Sequence, residues 1–215
     1  MHRKVVGYLF SLLACASATA GTITVTNVNG QFTEIAIDNA GNPLVGTYVG
    51  IGTLSDPNTT FATLSAAEVE GMFTPFASGI TEINQRGNPF IDPAMLFAIS
   101  GAADFTTSTF RGSPMHLILG NAETLSGSTA YGIMRIGTFP TSEPSSPDPI
   151  IMQGSAAEVL WGNYCETATN GTGVLATTRP AFTVGHFESP CSIPEPNTTV
   201  LFGVALAGLL LQRRL

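Results

Sequence analysis

Each end of this 215-residue chain carries an uncharged apolar stretch flanked by basic residues, and the two stretches constrain the fold by setting apart the residues between them. Residues 198–211 hold no charge and no proline, and Val200 begins a run of twelve apolar or glycine residues that ends at Leu211. A spanning helix needs roughly 20 apolar residues. Fourteen residues at ~1.5 Å each reach only about 21 Å, so this segment spans a bilayer only if the bilayer thins or its flanks, Asn197 and Gln212, dip inward. Pro194 and Pro196 set its outer boundary, because proline cannot continue a helix. Arg213 and Arg214 belong on the cytoplasmic side. A helix apolar on every side suits lipid better than the edge of a soluble core; a buried C-terminal helix is the alternative.

At the other end, Met1-His2-Arg3-Lys4 is basic, residues 5–14 are apolar, and Ala18 and Ala20 are small residues at the −3 and −1 positions of a cleavage site. This pattern reads as a secretory signal peptide over residues 1–20, handled by the secretion translocon and cut by signal peptidase after Ala20. A lipoprotein reading of Leu12-Leu13-Ala14-Cys15 is the alternative, and Leu13 fits it poorly. Both ends predict one topology, with residues 21–192 outside the membrane and the last residues inside.

The tail resembles the PEP-CTERM sorting signal: Pro194-Glu195-Pro196, a short helix rich in Leu, Ala and Gly, and a terminal pair of arginines, in that order over residues 193–215. The resemblance covers about a tenth of the chain. It implies recognition by an exosortase, a membrane cysteine protease-transpeptidase of exopolysaccharide-producing Gram-negative bacteria, and processing near Pro-Glu-Pro that removes the helix. It also implies a transient inner-membrane stage, then a place in the cell envelope, at the surface or in the extracellular matrix. Only Pro194, Glu195 and Pro196 carry the motif itself.

Between Gly21 and Pro196 the chain has four cations, Arg86, Arg111, Arg135 and Arg179, no lysine, and all fifteen acidic residues. An acidic surface without a basic patch argues against nucleic acid as a partner. The apolar content is that of an ordinary globular domain, and the length suits one domain. Cys165 and Cys191 remain after signal cleavage, and export predicts a disulfide between them. In the chain-entropy model, closing that loop of about 27 residues contributes ~3 to 4 kcal/mol.

Alternating residues from Ile23 to Val28 and from Thr33 to Ile37 flank Asn29-Gly30, which predicts a β-hairpin with a two-residue turn. Tyr48 to Leu54 reads as a strand whose glycines mark a bulge or a close backbone contact. Leu64-Ser65-Ala66-Ala67-Glu68-Val69 predicts a short helix with a capping box and a hydrophobic staple, ended by Gly71 and Pro75. Residues 94–100, 105–110, 115–119 and 131–136 read as strands, and residues 140–149 as a proline-rich surface loop. Ser155-Ala156-Ala157-Glu158-Val159 repeats the earlier pentapeptide and predicts a second short helix or turn. The expected fold is mainly β: one antiparallel β-sandwich-like domain with one or two short helices, between the signal helix and the C-terminal transmembrane helix. Trp161 is expected as a core or half-buried anchor near Cys165.

Signatures of catalysis are missing from the sequence. His116 lies in the strand pattern Met-His-Leu-Ile-Leu and is expected as a satisfied strand residue. His186 and Glu188 sit two apart and could share a face, with an ordinary surface pair as the alternative. The sequence has no Gly-x-Ser-x-Gly elbow, His-Glu-x-x-His motif, phosphate loop or dinucleotide fingerprint. Asp38, Asn39 and Asn42 offer oxygens, but Val49 stands where a calcium loop needs its last acid, so an Asx-rich turn is expected. Glu68 and Glu70 give no basis for a glycosidase. No cofactor, metal site or catalytic residue is therefore expected. The leading expectation is an exported, exosortase-sorted, non-enzymatic surface protein, with exopolysaccharide as a candidate partner. The alternatives are a carbohydrate-binding module, marked by a flat face bearing Tyr48, Tyr131, Tyr164 or Trp161, and a secreted hydrolase, marked by His116, His186 and an acid in one cleft.

Overall fold

The structure is a computed structural model that describes residues 20–29, 32–33, 35–38, 43–83, 95–144, 149–152, 157–169 and 178–185. It is mainly β, with one α-helix among the described residues. The centre is an antiparallel five-stranded sheet in the order β13(Glu158–Trp161), β11(Tyr131–Thr138), β10(Pro114–Gly120), β5(Tyr48–Leu54), β6(Phe73–Ile80). The middle strand, β10, is buried from Met115 to Gly120. A continuous apolar strand rather than an alternating one is what a sheet covered on both faces demands.

Side chains of β10 divide between two cores. Met115, Leu117 and Leu119 point into the larger one, with Val49 and Ile51 of β5. There they meet Ile23 and Val25 of β1(Gly21–Thr26) and Ile99 of β9(Ala98–Ala103), and also Phe182 of β15(Thr178–Thr183). β1 is the middle of a three-stranded sheet with β9 and β12(Ile150–Ile151), and β15 is the middle of another with β14(Asn163–Thr169) and β4(Ile35–Ile37). These layers over one face of the central sheet are consistent with a β-sandwich. Phe76, Phe105, Phe110 and Phe139 extend this core, their ring centroids 5.1–6.3 Å apart.

Ile118 points the other way, into a smaller core with Leu54, Phe61, Val69, Phe73, Leu125, Tyr131 and Ile133. A long insertion between the paired strands β5 and β6 covers this face. It holds a 3-10 turn, Phe61–Thr63, and the helix α1(Ala66–Met72), which buries Ala66 and Val69. Ser65 accepts a bond from the Glu68 amide at 3.3 Å, and the Ser65 amide donates back to the Glu68 carboxylate at 2.7 Å. This is the predicted capping box, and Leu64 packs against the cluster that holds Val69.

Several elements depart from the sequence expectation. Val28 pairs with Thr33 and Asn29 with Phe32, so the two residues between the paired ends are Gly30 and Gln31 rather than Asn29 and Gly30. The predicted hairpin is only two residues deep. All of β1 pairs with β9, and β4 pairs in parallel with β15. A second parallel pair joins β1 to β12, so the fold is mixed rather than wholly antiparallel. Pro75 does not end the helix; it lies in β6, an edge strand where a missing N–H is tolerated. Residues 105–110 form turns, not a strand. Asp104 accepts from the Thr106 amide at 2.9 Å and the Thr107 hydroxyl at 3.0 Å, and its carbonyl accepts from the Thr107 and Ser108 amides. Glu158 and Val159 open strand β13 rather than a helix, because Met134 and Arg135 offer them a ladder.

Candidate functional site

The predicted sorting residues Pro194, Glu195, Pro196, Arg213 and Arg214 lie outside the described residues, as do Ala18, His186, Glu188 and Cys191. Ala20 is described: it is exposed and stands immediately before β1. Cys165 on β14 is fully buried and disulfide-bonded, and its partner lies outside the described residues. Asp38 is described, while Asn39 and Asn42 are not. Among the described residues no group of three or more His, Cys, Asp or Glu side chains could hold a metal ion. None of the described helices is long and apolar enough to cross a membrane.

One row of the central sheet gathers ionisable side chains. Gly52, His116, Arg135 and Glu158 are register partners across β5, β10, β11 and β13. Arg135 and Glu158 reach solvent and pair at 3.3 Å, an exposed pair worth about 0–1 kcal/mol. His116 is 1% exposed, and neither of its ring nitrogens bonds to any described group. This corrects the expectation of a satisfied strand histidine. Burial first, and the Arg135 charge second, hold its imidazole below the usual range, against a smaller upward pull from Glu158. A nucleophile–base pair requires a hydroxyl, thiol or carboxylate within hydrogen-bond reach of the imidazole, and no described side chain provides one.

The aromatic candidates do not form a flat exposed face. Tyr131 is buried, and its hydroxyl lies 2.8 Å from the Phe61 carbonyl oxygen and 3.0 Å from that of Leu64. It anchors the insertion to the central sheet, and burial pushes its pKa up to about 12, with the Glu68 charge adding to the effect. Trp161 is half-buried against it, 6.1 Å between ring centroids, and Tyr48 packs against the same core. Trp161 is thus a half-buried anchor, as expected. Tyr164 is half-buried on β14, three residues after Trp161.

A second polar cluster escaped the sequence reading. Asp104 follows β9, and Glu143 lies in the loop after β11. The Glu143 Oε1 accepts from the Phe105 amide at 2.8 Å, while Oε2 is buried with no described partner. The Asp104 carboxyl lies below the usual carboxylate range chiefly through the Thr106 hydroxyl, then the Thr106 amide and the Thr107 hydroxyl, with a weaker contribution from Glu143. Nothing in the local pattern around either acid signals this meeting, because Glu143 reaches a loop whose Phe105 amide is 38 residues before it.

Residues 192–214 match the family model of the PEP-CTERM protein-sorting motif. The chain carries a PEP-CTERM sorting motif. It lies at the C-terminus, and the rest of the chain has no family match. No curated protein and no solved structure matches the chain. The motif implies an exosortase as processing partner, export, and a cell-envelope or surface location.

Proposed function

We propose that residues 21–192 form a non-enzymatic, matrix-associated surface domain, delivered through the secretion translocon after signal peptidase cuts behind Ala20. In this reading the PEP-CTERM tail crosses the inner membrane transiently, with Arg213 and Arg214 on the cytoplasmic side, until an exosortase removes it. The PEP-CTERM match carries the proposal. The body supports it in two ways. His116 is sealed in the sheet with no described acid or nucleophile bonded to its ring, and Tyr48, Tyr131 and Trp161 are occupied in packing the smaller core. The disulfide of Cys165 fits an oxidising destination, and Cys191 is its proposed partner.

The exported protein is expected to co-sediment with the cell-surface exopolysaccharide of its host and to appear in the medium when the polymer is absent. Equal retention on polymer-free cells would remove matrix association from the proposal. Turnover of a glycoside or ester substrate by the purified exported protein, abolished by His116→Ala, would replace it with the hydrolase reading.

A further inference from the structure

The first residue of the exported body sits against the Asp104–Glu143 cluster. Gly21 pairs with Ala103 at the start of β1, which places it beside Asp104. A Cβ on Gly21 would stand 2.3 Å from Glu143 Oε2, 2.6 Å from Pro144 Cδ and 3.1 Å from the Phe105 ring. The Gly21 nitrogen is roughly 2.5 Å from that point by standard backbone dimensions, so it lies within about 5 Å of Oε2. In the precursor this nitrogen is a peptide N–H joined to Ala20. Hydrolysis of the Ala20–Gly21 bond by signal peptidase leaves a carboxylate on Ala20 and an ammonium with three donors on Gly21.

We propose that Glu143, with Asp104 behind it, is a docking site for the α-ammonium that signal cleavage creates at Gly21. This rests on cleavage after Ala20. Three features of the site fit. The buried Oε2 accepts from no described N–H or hydroxyl, Asp104 meeting Glu143 only as a second carboxyl, and a buried carboxylate oxygen is costly to leave without a donor. Oε1 is held by the Phe105 amide, so the side chain is fixed in place. The loop that carries Glu143 is tied down by neighbouring bonds, with Arg111 Nε donating to the Thr141 carbonyl at 2.9 Å and the Gly112 amide to the Pro140 carbonyl at 3.3 Å. Any residue larger than glycine would push its Cβ into the carboxylate and the Pro144 ring. The ion pair would therefore exist only in the processed protein, and would fasten the N-terminal strand once the signal peptide is gone.

The chain offers an unusually clean probe. Its only lysine, Lys4, leaves with the signal peptide, so the α-amine is the single primary amine of the processed protein. The processed protein is purified from its host, its first residue determined by N-terminal sequencing, and its amine labelled with an acylating reagent at pH 7, folded and in urea. Labelling of the folded protein is expected to be at least ~10-fold slower than in urea, since one unit of pKa elevation alone slows it about tenfold. Glu143→Gln keeps an oxygen for the Phe105 amide and is expected to recover most of that difference while folded. Asp104→Asn is expected to recover less. Equal folded-state rates for the wild type and Glu143→Gln, in a protein that begins at Gly21, would overturn the docking site and leave the cleavage reading intact. A first residue other than Gly21 would overturn both.

Discussion

Replacing His116 with leucine should stabilise the body, although it removes a polar side chain from the middle of the central sheet. The native imidazole is 1% exposed, and its donor and acceptor nitrogens are both unpartnered among the described residues. An unsatisfied buried polar group costs about 1–3 kcal/mol, and leucine of similar volume would face the side of β10 that already buries Ile118. The expected gain at pH 7 is about 1–2 kcal/mol, read as a rise in the urea midpoint at unchanged m-value. The pH dependence gives a second check. His116 is held below the usual imidazole range in the folded protein, so the unfolded chain binds the extra proton first. Native stability is then complete above the unfolded pKa of about 6.5 and falls as pH drops from there toward the folded value. Between pH 7 and pH 5.5 this group can cost at most about 1.2 kcal/mol. The leucine variant should lack that loss, and the difference between the two proteins cancels any contribution from His186. A loss of 1 kcal/mol or more in His116→Leu at pH 7 would refute the reasoning, because it would mean that the ring nitrogens make bonds the fold depends on.

Gly52→Ala should destabilise by about 3 kcal/mol, because the new Cβ would stand 2.1 Å from the Thr74 carbonyl oxygen, a backbone atom that cannot turn aside. A change under 1 kcal/mol in urea unfolding would mean that β5 and β6 lie farther apart than described. Ser65→Ala removes the cap of α1 and should cost about 1 kcal/mol, measured the same way; no change would place the helix start elsewhere. Cys191→Ser should leave a free thiol at Cys165 and cost about 3 kcal/mol. An unchanged midpoint with no titratable thiol would point to a different partner for Cys165.

Local chemistry made part of this fold legible. The Ser65–Glu68 capping box, the Gly-rich strand β5 and the apolar strands β10 and β11 depend on neighbours close in sequence or on burial of a whole segment, and each is where the pattern placed it. Strand partners were not legible. β1 looked ready to fold back on β4, yet its register is set by β9, more than 70 residues away, and a pattern of alternation cannot choose between them. The repeated pentapeptide makes the same point. In one copy Ser65 caps a helix, whereas in the other Glu158 and Val159 lie in a strand because β11 offers an open edge. Residues 105–110 have the residue types of a strand, but Asp104 satisfies the backbone locally and bends it. At the functional level the sorting motif was readable because it is contiguous. The isolation of His116 and the meeting of Gly21, Asp104 and Glu143 depend on side chains brought together by distant loops.

Mass spectrometry of the protein recovered from its host's envelope fraction tests the central claim most directly. With a working exosortase, the chain should end near Pro194-Glu195-Pro196, without residues 198–215, and deletion of the exosortase should leave the tail intact in the inner membrane. An unprocessed chain ending at Leu215 and dissolved in the cytosol of exosortase-competent cells would contradict it.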